Sequence, residues 1–408
     1  METKEKLKQN SAITLVALVI TIIILLILAT VTIVELRNTN LFSKAIDAKN
    51  KYQQKAEEEN NTLDDYANKI NEITSGTVKN NATDGNYDST KGVNTPKLAK
   101  NMTPIKWSGT TEQNTTKLDS GWYNYTNKQW ANAKTPDGSY WVWIPRYEYI
   151  KNDSTKTFTV KFIPTSQTTA DSGYTIHPVF RSDVSAGGWD SELSGIWVAK
   201  FEAVNSSSKP LSLPNQSSWR GIQESDIFTT CKNYMADLAS HQMKNTEWGA
   251  MAYLTQSQYG LNGTDIVINN NSSYYTGNGN YVANTNESTT GNVYGIYDTS
   301  GGAWEYVASY SVTKGSYSST LPDSTDKFCI KYGAYNTGIP GDATSETSGW
   351  YGDYAYWPGS SYPVWGRGGY YNSGSNAGSF AFDNDDGSAY DGKRFPCGPC
   401  VLGPLWIS

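Results

Sequence analysis

Residues 366–394 read GRGGYYNSGSNAGSFAFDNDDGSAYDGKR, and the two residue classes in this stretch decide how the C-terminal half of the chain is read. Ala377, Phe380, Ala381 and Phe382 make an apolar segment, and around it stand Tyr370, Tyr371, Asn372, Ser373, Asp383, Asn384, Asp385, Asp386, Ser388, Tyr390 and Asp391. Tyrosine offers a large amphipathic area with few rotatable bonds, while Ser, Asn and Gly adapt their hydrogen bonding, so this mixture builds contact surfaces. A turn-forming Gly/Ser/Asn-rich segment has the same composition, and both readings stand at this point. Asp383, Asp385 and Asp386 suggest a calcium loop but lack the later glutamate of an EF-hand, so no cofactor is expected and a structural calcium is left open.

Working upstream from this stretch to Trp122, short β-type runs such as Tyr140 to Ile144, Phe158 to Phe162 and Ile196 to Phe201 are separated by Gly, Asn and Ser turns. Helical patterning is confined to Ile227 to Leu238 and Asn245 to Leu254. The expected class is α+β with long connections.

Five stretches in order carry a family resemblance: Val142-Trp143-Ile144-Pro145; Ile196-Trp197-Val198-Ala199-Lys200-Phe201-Glu202; Met243 to Ala250 (MKNTEWGA); Gly295 to Asp298 with Ser300 to Val307 (SGGAWEYV); and Gly366 to Tyr370 (GRGGY). Together they resemble the formylglycine-generating-enzyme and sulfatase-modifying-factor branch of the C-type lectin fold. The resemblance implies a C-type lectin fold whose structural motif residues are Trp248, Trp304, Glu305, Arg367, Gly368 and Gly369, with Thr246 as a helix N-cap. Enzymes of that branch oxidise a substrate cysteine through reactive cysteines near the Arg-Gly-Gly motif and a bound metal. Those cysteines have no clear counterpart here, and no catalytic or metal residue is assigned. Cys397-Gly398-Pro399-Cys400 has the spacing of a redox pair, which keeps an oxidoreductase as the rival reading.

Residues 360–394 further resemble the variable region of proteins diversified by a retroelement that randomises adenines in a template copy. Asn codons begin with two adenines, and their substitution yields Tyr, Asp, Ser, His or Gly. The polar residues named above belong to that set and are the candidate ligand-binding residues, while Ala377, Phe380, Ala381 and Phe382 are the expected fixed framework.

Composition narrows the classes. With 33 basic against 39 acidic residues the chain carries a formal net charge of -6, which excludes the dense positive field of nucleic-acid binding. Four cysteines are too few for a disulfide framework in 408 residues, and two histidines supply no zinc-site spacing.

At the other end, Ile13 to Val34 (ITLVALVITIIILLILATVTIV) is uncharged and, as a helix, spans about 33 Å, enough for a bilayer core of about 30 Å. Lys4, Lys6 and Lys8 precede it and predict a cytoplasmic N-terminus with everything after Val34 outside. Asn10 to Leu18 resembles a type IV prepilin-like leader with cleavage between Ala12 and Ile13, although Ala12 replaces the usual glycine and Ala17 the usual glutamate, which puts pilin-like self-assembly in doubt. A plain anchor is the other reading. The expected organisation is a leader (1–12), a transmembrane helix (13–34), a stalk helix (35–74), a polar linker (75–118) and a ligand-binding domain (119–408). Pro396 and Pro399 make a closing strand in the tail awkward, because proline cannot donate to a ladder. The function expected from the whole is a single-pass cell-membrane protein, not an enzyme, whose extracellular domain binds a protein or glycan ligand on another cell or phage. A pilin-like structural subunit is the further alternative.

Overall fold

The computed structural model describes residues 85–315 and 319–389, the backbone of Cys400–Leu402, and, before residue 85, only helical residues 18–23 and scattered helical positions between 48 and 63. The chain divides into two compact units, Met1–Lys79 and Asn80–Ser408. In the first, Leu18, Val19, Ile20, Ile22 and Ile23 are helical and exposed. Among the described residues no helix is long and apolar enough to cross a membrane. The rest of the run 13–34, the Ala12–Ile13 junction and most of 35–74 lie outside the described residues.

The second unit is α+β, mostly sheet with few helices. Its opening strands are β1 (Tyr87–Asp88), β2 (Val93–Asn94), β3 (Thr103–Ser108) and β4 (Thr111–Asn114). They correct the linker reading of 75–118: Val93, Met102, Ile105 and Trp107 are buried there. Apolar residues this thinly spread give no periodic signal, and pairing with distant strands is what buries them.

Next come β5 (Asn132–Lys134), β6 (Tyr140–Pro145), the hairpin β7 (Tyr147–Asn152) and β8 (Thr157–Phe162), then β9 (Thr175–Ile176) and β10 (Gly195–Ala199). All of β6 and β10 is buried, as near-continuous apolar runs require when both faces of a sheet are covered. The hairpin β11 (Ala203–Ser206) and β12 (Lys209–Ser212) leads to helix α1 (Glu224–Tyr234), which buries Ile227, Phe228 and Cys231 on one side.

After β13 (His241–Gln242), helix α2 (Asn245–Thr255) is buried all round. Its N-cap is Lys244, whose backbone N–H donates to Glu247 Oε2 at 2.8 Å. Thr246, expected as the cap, lies inside the first turn and donates to Gly187 O at 2.7 Å. A second sheet follows from β14 (Glu305–Ser311), β15 (Ile330–Tyr332), β16 (Val364–Gly368) and β17 (Gly378–Asp385), ordered β15-β14-β16-β17.

The last strand, β18 (Cys400–Leu402), completes the seven-stranded order β13-β18-β10-β6-β5-β3-β4. It pairs antiparallel with both neighbours, Trp197 opposite Leu402 and Gln242 opposite Cys400. The strand begins at Cys400, and residues 390–399, with Pro396 and Pro399, lie outside the described residues.

Candidate ligand-binding face

The site is built outward from the Arg-Gly-Gly motif on β16. In register, Arg367 lies opposite Glu305 on one side and Phe382 on the other. Its buried guanidinium donates from Nη2 to Ala343 O at 3.0 Å and sits over the rings of Trp248 (5.4 Å) and Phe382 (5.8 Å). Burial lowers the guanidinium pKa to about 10. Trp248 in turn donates from Nε1 to Ser379 O at 2.7 Å, tying α2 to β17. Gly368 and Gly369 have φ of +82° and +85°, the left-handed region that glycine enters without steric cost. A Cβ on Gly369 would meet Ala377 Cβ at 2.7 Å, so the turn into the tyrosine pair requires glycine.

Behind this turn is a buried carboxyl layer. Glu202 Oε1 accepts from Ala303 N at 2.8 Å, and Asp298 Oδ1 from Asn269 Nδ2 at 2.8 Å and Gly277 N at 2.9 Å. Glu305 Oε2 and Glu202 Oε2 are buried without a hydrogen-bond partner. Burial first, then the neighbouring carboxylates, pushes Glu305 and Glu202 well above the usual carboxylate range, and burial raises Asp298 to about 6. Such groups are most stable in the neutral form, which avoids the cost of an unpaired buried charge. Among the described residues no His, Cys, Asp or Glu group is arranged to hold a metal ion.

In front of the turn the tyrosines gather. Tyr371 N donates to Gly302 O at 2.9 Å, and the Tyr370 and Tyr371 rings meet edge to face at 5.6 Å. Tyr274 packs on Tyr371 at 4.9 Å and carries the Arg220 guanidinium 4.0 Å above its own ring. Tyr274 holds this pose at φ +58°, an uncommon conformation for a bulky side chain. Ser373 Oγ accepts from Tyr370 N at 3.0 Å, and Asn372 is exposed.

A segment beyond β17 continues the aromatic surface. Tyr356 N donates to Phe382 O (3.0 Å) and Phe382 N to Tyr354 O (2.8 Å), so the segment runs parallel to the strand. Tyr354 and Tyr356, 39% and 55% exposed, stack at 6.0 Å, and Tyr354 touches Trp304 at 6.2 Å. Asp353 anchors this segment by accepting from Phe380 N at 2.9 Å, and burial pushes its carboxyl up to about 8.

Of the residues expected to bind ligand, Tyr370, Tyr371, Asn372 and Ser373 come together, while Asp383, Asn384, Asp386 and Ser388 are half-buried toward the far end of β17. Asp385 is corrected: it is 5% exposed, accepts from Tyr306 OH and Gly387 N, and belongs to the interior. Asn384 is half-turned inward, donating from Nδ2 to Trp357 O at 2.7 Å. Tyr390 and Asp391 lie outside the described residues, as do the side chains of Cys397 and Cys400. Sequence reading missed Arg220, Tyr274, Tyr354 and Tyr356. The last two were detectable as tyrosines two apart, the spacing of side chains on one face of an extended chain. No protein-family model and no curated protein matches the chain.

Proposed function

We propose that the chain is a surface-displayed ligand-binding protein of C-type lectin fold whose C-terminal face is diversified by retroelement mutagenesis, and that its activity is recognition and not catalysis. The observation that carries this reading is a contrast in burial along one segment. Ala377, Phe380, Ala381 and Phe382 are 0–3% exposed, while Tyr370, Tyr371, Asn372, Ser373, Asp383, Asn384, Asp386 and Ser388 reach solvent wholly or in part. A scaffold that keeps its packing while its contact residues change needs that division. Tyrosine anchors then bury apolar area on a ligand while small polar residues complete hydrogen bonds.

On this reading the uncharged run 13–34 is the single anchor, with its N-terminus in the cytoplasm. Full-length chain should partition with membranes and need detergent for release; recovery in a detergent-free soluble fraction removes the display part of the proposal. Sequencing the gene across many isolates tests the rest. Substitutions should concentrate at adenine-bearing codons of the solvent-reaching residues and spare the codons for Ala377, Phe380, Ala381 and Phe382. An even spread over both classes would sink it.

A further inference from the structure

We propose that the loop 270–275 is a second recognition element, constant where the turn 370–373 is diversified, and that the two together grip a polypeptide partner; the inference rests on reading this face as the ligand-binding surface. The loop reads NNSSYY and the turn YYNS, so both draw on Tyr, Asn and Ser alone. Those are the residue types from which adaptable protein-contact loops are made. The loop lies outside 360–394, the stretch that resembles a diversified region.

Both segments hang from one residue. Gly302 N donates to Asn269 O at 2.8 Å, and Gly302 O accepts from Tyr371 N at 2.9 Å. Asn269, fully buried, then clasps the loop at both ends: its Oδ1 accepts from Asn271 N at 3.1 Å and its Nδ2 donates to Tyr275 O at 2.9 Å. The same Nδ2 donates to Asp298 Oδ1 at 2.8 Å, which ties the clasp to the carboxyl layer. Within the loop Asn271 Oδ1 accepts from Ser273 N at 2.9 Å, and on its flank Ser218 N donates to Tyr274 O at 2.9 Å. A loop set in this way before its partner arrives loses little freedom on binding.

The two tyrosines of the loop divide their tasks. Tyr274, at φ +58°, is buried and packs on Tyr371 at 4.9 Å, which joins loop and turn into one contiguous patch. Tyr275 is 43% exposed, and Asn270, Ser272 and Ser273 are exposed with it. The rings favour a polypeptide over a sugar. Tyr274 meets Tyr371 at 79° and Tyr371 meets Tyr370 at 89°, so ring faces are turned onto neighbouring edges and are not aligned as one flat platform for stacking a sugar ring. Such packing presents a relief of ring edges, hydroxyls and amides, which suits the mixed side chains of a protein surface.

The test is selection of a random-peptide display library on the full-length chain in detergent, each enriched clone being titrated against the parent, Tyr371→Ala and Tyr275→Ala. A glycan array is read with the same proteins. Clones that Tyr371→Ala weakens are expected to lose about tenfold or more in affinity for Tyr275→Ala as well, and hydroxyl-radical labelling of Tyr275 in the parent should fall when such a peptide is bound. Peptides that need Tyr371 but bind Tyr275→Ala as tightly as the parent, and leave Tyr275 open to labelling, overturn the role of the loop and leave the binding face standing. Glycans held in a Tyr371-dependent way, with no such peptide, overturn the polypeptide partner. Absence of any Tyr371-dependent probe of either kind overturns the loop and the face together. Should Tyr371→Ala melt below the parent, Asn372→Ala, at an exposed position of the same turn, takes its place, and the labelling needs no substitution at all.

Discussion

Two layers that share β16 and β17 treat their polar residues in opposite ways. Behind the strands, Glu202, Asp298 and Glu305 are buried and their carboxyls titrate high, as does buried Asp353 under the segment beside β17. Beside β17, Tyr354 and Tyr356 stand open, with Tyr370 and Tyr371 half-covered at the strand's start. The difference teaches that the inner layer is committed: its carboxyls are buried and raised in pKa, so an ionised form there carries a large desolvation cost. The outer layer is not, because Tyr354 and Tyr356 stack on each other in the open and fill no buried space.

The largest break in that comparison should come from the aromatic that joins α2 to β17. Trp248→Ala is expected to cost about 3–5 kcal/mol as a fully buried aromatic truncation, read as a fall in the denaturant midpoint. A variant within about 1 kcal/mol of the parent would show that the motif is not the keystone of the inner layer.

Next in size is the pH dependence. Asp353 titrates near 8 and Asp298 near 6 in the folded protein, against about 3.9 when unfolded. An acid whose folded pKa is raised stabilises the fold fully below its unfolded pKa and loses that contribution as pH climbs through the folded value. Stability should therefore decline from about pH 4 to about pH 8, with Asp353 contributing to the upper part of the fall alongside the raised Glu202 and Glu305. Denaturant midpoints at stepped pH check this, and Asp353→Asn, which mimics the neutral acid, should make the decline above about pH 6 shallower by the share of one carboxyl. A midpoint that rises with pH would contradict the neutral state of the inner layer.

A sharper contrast lies within one strand. Asp385, which accepts from Tyr306 and Gly387 inside the fold, should cost about 1–3 kcal/mol as Asp385→Ala, because its donors are left unpaired. Asp383→Ala, two residues away, should stay within about 0.5 kcal/mol. Equal losses would place Asp383 in the interior with its neighbour. The smallest effect on stability belongs to Tyr356→Ala, again within about 0.5 kcal/mol, while ligand affinity falls by about 2 kcal/mol or more if the ring is an anchor. A matched loss in both would make Tyr356 part of the core.

Much of this molecule can be read from local pattern. The apolar runs of β6, β8 and β10, the two helices, and the division of residues 370–388 into packed and solvent-reaching classes need only side-chain chemistry and short-range spacing. Glycine at 368 and 369 likewise announces a turn, since few other residues tolerate such a backbone. What the sequence could not decide depends on distant partners. Trp107 enters the core because Tyr281 and Tyr294 close over it; nothing within its own polar stretch predicts that. Asp383 and Asp385 share a side of β17, yet only Asp385 meets Tyr306 from β14 and is drawn inside. Tyr354 and Tyr356 come to lie beside β17 because their segment pairs with that strand. The carboxyl layer assembles from residues 202, 298 and 305, brought together by sheet pairing and turns far apart in the chain. Pattern along a chain records which side chains can be buried; which of them are buried, and beside what, is decided when strands remote in sequence come within hydrogen-bonding distance.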